Sequence, residues 1–367
     1  MDGKIGLGPI GRVAVLAAVV ALAGWAGAAE VGGDFLLQTK NTTMAFRKSG
    51  DTWLMVHYGE KLGQASDANA LAFSGWVGGN FFGHRKPATY SVYGSDNDKG
   101  TMNKFGGLAV IHADGVTSTE LVDQGARTVD DKPGVTHLVL EMKDPVYPFF
   151  VTQHFRAVEA SDVVETWVEI KHTEPAPVKL VRMDSVALVF PLIAKEFHLL
   201  TLTGQLASEG QISEAPVARG QTVSMTSRSG VRSAFGANPS FMLSVGNKAT
   251  ETAGRVIGAA LAWSGAWNIA VQRDYVDALA INVGPDTGNG AYTLDAGKAL
   301  VTPKTALTYS ASGKGQISRN LHRWARDCQL RDGHMLRPVL LNSWEGAYFD
   351  FNEKTLTDMM DGVKELG

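Results

Sequence analysis

The chain has 367 residues, a formal net charge of −3 and one cysteine, with 44% hydrophobic, 19% charged and 8% aromatic residues. That composition excludes a wholly disordered chain, and the near-balanced charge excludes a global field that would draw it to nucleic acid or an anionic membrane. Cys328 alone excludes an intrachain disulfide framework or a multi-cysteine metal centre, and fits a small apolar position on a helix.

The first thirty residues read as an export signal. Lys4 and Arg12 supply the positive end, residues 13–22 are an unbroken Val/Ala/Leu run, and Ala26-Gly27-Ala28 offers a cleavage site. The apolar run is shorter than the ~20 residues a membrane span needs. The expectation is a signal at 1–28 and a product in the periplasm or outside the cell, free of the membrane once the signal is removed. Gly6-Leu7-Gly8-Pro9-Ile10-Gly11 spells GxGxxG, but it follows no strand and contains a proline, so it carries no dinucleotide site.

From about residue 35 to about residue 309 the pattern is that of short strands between polar turns such as Ala113-Asp114-Gly115 and Asp131-Lys132-Pro133-Gly134. Over 163–170, Val164, Thr166, Val168 and Ile170 alternate with Glu165, Trp167 and Glu169, the period of a half-buried strand. Leu138, Leu140 and Met142 alternate likewise, as do Val186, Leu188 and Phe190. A large antiparallel sandwich over 31–312 is predicted.

The period then changes. Ile317, Leu321, Trp324 and Cys328 place an amphipathic linking helix at 316–328, within a segment 313–336. Residues 338–341, Pro-Val-Leu-Leu, read as a short buried strand. After a loop, Asn352 is a helix N-cap, and Leu356, Met360, Val363 and Leu366 line one helical face up to Gly367. Residues 337–367 are therefore expected to be one β/α unit, which cannot bury its strand without neighbours, so the chain is expected to be a truncated one.

The run Arg337-Pro338-Val339-Leu340-Leu341-Asn342-Ser343-Trp344-Glu345-Gly346-Ala347-Tyr348-Phe349-Asp350-Phe351 resembles the start of the catalytic barrel in glycoside hydrolase family 36, the α-galactosidase family. The family's run is R-P-x-L-x-N-N/S-W-E-A-x-Y-F-D-F, followed by a helix ending E-L-G. This chain ends Glu365-Leu366-Gly367, and Gly346 stands where the family usually has alanine. Upstream, Gly204-Gln205-Leu206-Ala207-Ser208-Glu209 resembles the family's G-x-W-A-S-E, with leucine for tryptophan. Arg228-Ser229-Gly230, Asn238-Pro239 and Trp263-Ser264-Gly265-Ala266-Trp267 resemble further stretches of its N-terminal β-supersandwich.

The resemblance implies a mainly β chain: a supersandwich, a linking helix, and the first β/α unit of a truncated (β/α)8 barrel. It implies a retaining glycosidase with two carboxyl groups about 5–5.5 Å apart. In the family both are aspartates from later barrel strands, and a D-D-G-W motif sits on the second strand. None falls within this chain, which alone is expected to be inactive. Trp344 matches the tryptophan that walls the galactose pocket; Asn342 and Glu345 flank it as groups that order the loop or touch sugar. An α-galactoside is the implied substrate, with no cofactor and no metal, and a homo-oligomer, a tetramer, is the assembly the resemblance implies for the longer protein. Two other readings stay open: a non-catalytic sandwich that binds sugar or supports assembly, and an α-N-acetylgalactosaminidase of the same family.

Other residues receive plainer readings. Trp76, Phe81, Phe82, His84 and Arg85 form an aromatic, basic loop that packs on its own domain or edges a neighbouring subunit's pocket. His57, His112, His137, His154, His172 and His198 are scattered singly without metal-ligand spacing. Asp130 and Asp131 lie at a turn and are expected in solvent. Asn41-Thr42-Thr43 spells an N-glycosylation triplet by chance.

Overall fold

The computed structural model describes residues 29–31, 34–49, 52–63, 67, 106–129, 131–190, 193–230, 232, 234–273 and 277–367. The expected signal at 1–28, the loop holding Trp76, Phe81, Phe82, His84 and Arg85, and Asp130 lie outside them. The chain divides into two compact units, 1–321 and 322–367.

The first unit is built from antiparallel strands. In chain order they are β1 (Ala29–Val31), β2 (Asp34–Gln38), β3 (Thr42–Ser49), β4 (Thr52–Glu60), β5 (Leu108–Ile111), β6 (Val122–Val129) and β7 (Val135–Lys143). Next come β8 (Phe149–Val158), β9 (Val163–His172), β10 (Val178–Met183), β11 (Val186–Phe190), β12 (Phe197–Gly204), β13 (Gln211–Pro216) and β14 (Gln221–Ser227). The last are β15 (Gly236–Val245), β16 (Arg255–Leu261), β17 (Trp267–Arg273), β18 (Leu279–Pro285), β19 (Tyr292–Leu294), β20 (Ala299–Val301) and β21 (Thr305–Ser310). One sheet of ten strands runs β13-β12-β15-β16-β21-β9-β8-β7-β6, with β20 paired to β9. Two four-stranded sheets, β1-β2-β3-β4 and β11-β18-β17-β14, and a three-stranded sheet, β19-β10-β5, accompany it.

Alternation decides which side chains enter the core. On β7, Leu138 and Leu140 are fully buried and pack with Phe46, Phe155, Leu188, Ile281 and Trp267 in the main cluster. Two residues on, Met142 joins a second cluster with Phe149, Val168, Ile170, Val110 and Leu180. One face of the ten-stranded sheet thus feeds two cores. Between them sits a polar belt. Gln153 Nε2 donates to Thr166 Oγ1 (2.6 Å), and both side chains reach the Ser185 carbonyl at 3.4 Å. The Gln153 amide nitrogen and the Thr166 hydroxyl are tolerated there because they find partners, whereas Gln153 Oε1 and the Ser185 hydroxyl are buried with none among the described residues.

The β2–β3 turn is fastened by Asp162, which sits in left-handed backbone at φ 55°. Its carboxylate accepts hydrogen bonds from the Thr39 hydroxyl (2.9 Å), the Asn41 backbone N–H (2.7 Å) and the Asn41 side-chain amide (2.6 Å). The amide nitrogen of the Asn41 triplet is therefore already engaged.

The linking helix appears as α1 (Lys314–Trp324), followed by a π-helical turn at Ala325–Gln329. It starts two residues earlier than the apolar spacing indicates, because Lys314 and Gly315 are held by backbone bonds to Thr250 and Glu251. Ile317 is fully buried against Ala249 and Val256, and Gly258 leaves the space its side chain occupies.

The second unit corrects one expectation. No strand forms at 338–341; Val339 and Leu340 are about nine-tenths exposed, at 90% and 87%. A parallel strand is stable only between neighbours that take its N–H and C=O groups and cover both faces, and Pro338 brings no N–H. The loop and the helix are present, as α2 (Trp344–Ala347) and α3 (Glu353–Leu366). Asn352 caps α3 as the sequence indicates, its side chain accepting from the Thr355 N–H at 3.0 Å.

Candidate functional site

The three residues singled out around the family run lie in one turn of the second unit. The Asn342 side chain accepts the Trp344 backbone N–H at 2.9 Å, which starts α2 at the tryptophan. Tyr348 ends the turn with φ 46° and donates its backbone N–H to the Trp344 carbonyl at 2.8 Å. Glu345 accepts from the Tyr348 hydroxyl at 3.2 Å. Asn342 and Glu345 thus spend their side chains on the backbone and on the aromatic neighbour of Trp344.

The indole is framed by aromatic edges. Tyr348 meets it at 5.6 Å and 74°, and Phe349 at 4.8 Å and 88°. Such edge-to-face pairs contribute about 0.5–1.5 kcal/mol each beyond area burial. Trp344 keeps 43% of its surface open, and its indole N–H makes no hydrogen bond among the described residues. A ring held this way can pack against sugar C–H groups while its N–H donates to a hydroxyl. The Tyr348 and Phe349 frame was not read from the sequence; aromatics four and five residues after Trp344 are the signal for it. Gly346 bears on the same turn, because a Cβ there would meet Met359 Cε at 2.8 Å.

Elsewhere the structure brings together residues that look unrelated in sequence. His137 and His154, expected to be scattered singly, stand on adjacent strands with Nε2 and Nδ1 3.0 Å apart. His154 stacks on Trp167 at 4.7 Å and 4°. Burial, then the charges of His137 and Arg127, push the His154 pKa down to about 4. Cross-strand pairing causes this, since His154 of β8 lies opposite Trp167 of β9. His112 is also partnered: it bonds the Glu174 carboxylate at 2.8 Å and Thr119 at 2.9 Å, all buried. Glu165, which alternates with Val164 and Thr166 along its strand, is buried, and Arg156 and Lys304 both donate to it, at 3.0 and 3.1 Å. Asp131 is likewise no free turn carboxylate, since Arg156 Nε donates to it at 2.5 Å. That guanidinium holds its carboxyl below the usual range. Among the described residues no group of three or more His, Cys, Asp or Glu could hold a metal ion.

Comparison with known proteins joins the sandwich and the Trp344 turn in one framework. Residues 52–295 match the family model of the glycosyl hydrolase family 36 N-terminal domain, and residues 299–367 match that of melibiase. The chain belongs to glycosyl hydrolase family 36. It is 27% identical over 354 residues to the bifunctional alpha-galactosidase/sucrose kinase AgaSK of Mediterraneibacter gnavus, covering 91% of this chain and 37% of that protein. Against alpha-galactosidase C of Emericella nidulans the identity is 26%, covering 92% of this chain and 46% of the other. Among solved structures, the galactosidase domain of AgaSK superposes with a TM-score of 0.78 at 27% identity, covering 91% of this chain and 49% of that one. The alpha-galactosidase AgaA of Geobacillus stearothermophilus, solved as a variant in complex with stachyose, shares the fold with a TM-score of 0.80 at 22% identity, covering 91% and 49%. This family 36 chain therefore spans between about a third and a half of the relatives it matches.

Proposed function

We propose that the chain is the N-terminal part of an exported, retaining α-galactosidase that hydrolyses terminal α-D-galactosyl residues of oligo- or polysaccharides. The observation that carries the reading is the similarity to alpha-galactosidases over nine-tenths of the chain, together with the match of residues 299–367, the Trp344 turn included, to the melibiase model. In this reading Trp344 forms one wall of the galactose pocket. Asn342 holds its backbone, and Tyr348, tied to Glu345, and Phe349 hold its ring. A rigid wall orients the sugar, and orientation lowers the barrier by removing motions the reacting groups would otherwise have to lose.

The two carboxyl groups of a retaining mechanism come, by family resemblance, from later barrel strands. The relatives' additional length supports placing them outside this chain. The 367 residues alone are then inactive, and 337–367 take up their strand only beside the rest of a (β/α)8 barrel. Export rests on Lys4, Arg12 and the apolar run 13–22; mass spectrometry of the cell-free product should find a new N-terminus just after Ala28. The deciding assay is hydrolysis of an aryl α-galactoside. The chain extended by the family's remaining barrel should release the aryl group, and the 367-residue chain should not. Turnover by the short chain would refute the missing-carboxylate reading. An inactive extended chain would favour the sugar-binding or assembly sandwich.

A further inference from the structure

Two tryptophans four residues apart in the sandwich have opposite fates. Trp267, the first residue of β17, is fully buried, whereas Trp263, in the connection from β16, is 45% exposed. Trp263 is not loose. Its indole Nε1–H donates to the Ala266 carbonyl at 3.1 Å, and the Asp286 backbone N–H donates to the same oxygen at 3.0 Å. The ring's nitrogen-bearing edge lies against Gly265, where a Cβ would come within 2.5 Å of Nε1, so only glycine admits it. The polar edge is thereby satisfied inside the loop, and the exposed part of the ring is hydrocarbon.

Asp286, whose N–H shares the Ala266 carbonyl with the indole, belongs to a polar cluster. Arg228, one residue beyond β14, donates to the Asp286 carboxylate at 2.7 and 3.4 Å, to Asn289 Oδ1 at 3.0 Å and to the Gly288 carbonyl at 3.3 Å. The Arg228 and Asp286 charges cancel, so the cluster has no field to select an anion or a cation. The Asn289 side chain is exposed, and its amide N–H groups make no hydrogen bond among the described residues. An anchored, open indole beside neutral hydrogen-bonding groups has the chemistry of a saccharide platform: apolar sugar faces pack on the ring and hydroxyls meet the amide.

We infer that Trp263, with Asn289 and the Arg228–Asp286 pair, forms a binding site for neutral, galactose-bearing saccharide on the sandwich. The inference uses the proposed function only to choose the probe. In native gels containing galactomannan, the 367-residue chain should be retarded. Trp263→Ala should bind about tenfold more weakly. Hydroxyl-radical footprinting of the unaltered protein needs no variant, and galactomannan oligosaccharide should protect Trp263 from oxidation. Retardation of Trp263→Ala equal to the unaltered chain would overturn the site. Absence of both retardation and protection in the unaltered chain would do the same. Protection of Trp263 in an extended chain that hydrolyses no α-galactoside would leave this site standing and remove the activity instead.

Discussion

Residues 138–140, Leu-Val-Leu, and residues 339–341, Val-Leu-Leu, are nearly the same peptide by composition, and they end in opposite states. Leu138, Val139 and Leu140 are completely covered, while Val339 and Leu340 are almost completely exposed. The first run sits in β7 with ladders to β6 on one side and β8 on the other. The second has no partner strand among the described residues. Apolar content makes a strand possible; hydrogen-bonded neighbours make it exist, because an unpaired backbone in a would-be core must give up water for nothing.

The comparison can be broken most directly by truncation at both places. Leu140→Ala should cost about 2–5 kcal/mol, and Leu340→Ala in the same chain less than about 0.5 kcal/mol. Urea denaturation measures both, and equal losses would mean that 339–341 is already packed. In a chain extended through the barrel, Leu340→Ala should become as costly as Leu140→Ala.

A second difference is electrostatic. Glu165 is buried and bound by two cations, whereas Glu345 is exposed with one weak partner. Glu165→Ala leaves Arg156 and Lys304 without their shared partner, and should destabilise the sandwich by about 3 kcal/mol. Glu345→Ala should leave thermal stability within about 0.5 kcal/mol of the parent.

The His154 pair sharpens the comparison through pH. The folded pKa of about 4 lies below the ordinary imidazole value of 6.5, so between those two values the unfolded chain binds the extra proton. The stabilisation is complete above pH 6.5 and is lost as pH falls toward 4. Solvent screening at this half-buried site reduces the effect to on the order of 1 kcal/mol. Thermal melts at pH 7 and pH 4.5 should therefore differ less for His154→Leu than for the parent.

The smallest expected effects concern that unit. Asn352→Ala removes the α3 cap and should reduce helix stability by about 1 kcal/mol, seen as lost helical circular dichroism without a change in the sandwich transition. Gly346→Ala should be near neutral: a better helix residue offsets the shift of Met359, whose flexible end is all that must move.

Much of this was legible in order along the chain. Period-two alternation marked β7, β9 and β11, the i, i+4, i+7 spacing marked α1, and Asn352 marked the start of α3. These signals are local, arising from the fixed 2.0 and 3.6 residue periods of the backbone and from caps made within one turn. The site was legible only as residue types. Asn342, Trp344 and Glu345 are neighbours in sequence, but the edge-on frame of Tyr348 and Phe349 depends on the positive φ of Tyr348, which no spacing rule announces.

The sequence by itself determined the periods, the caps and the family run, because each is written within a few residues. Tertiary structure alone decided that Glu165 is buried, that His137 meets His154, that Trp263 is held out while Trp267 is taken in, and that residues 338–341 are no strand. Those outcomes depend on which distant strand lies alongside, and a backbone or a charge takes its environment from its neighbours in space.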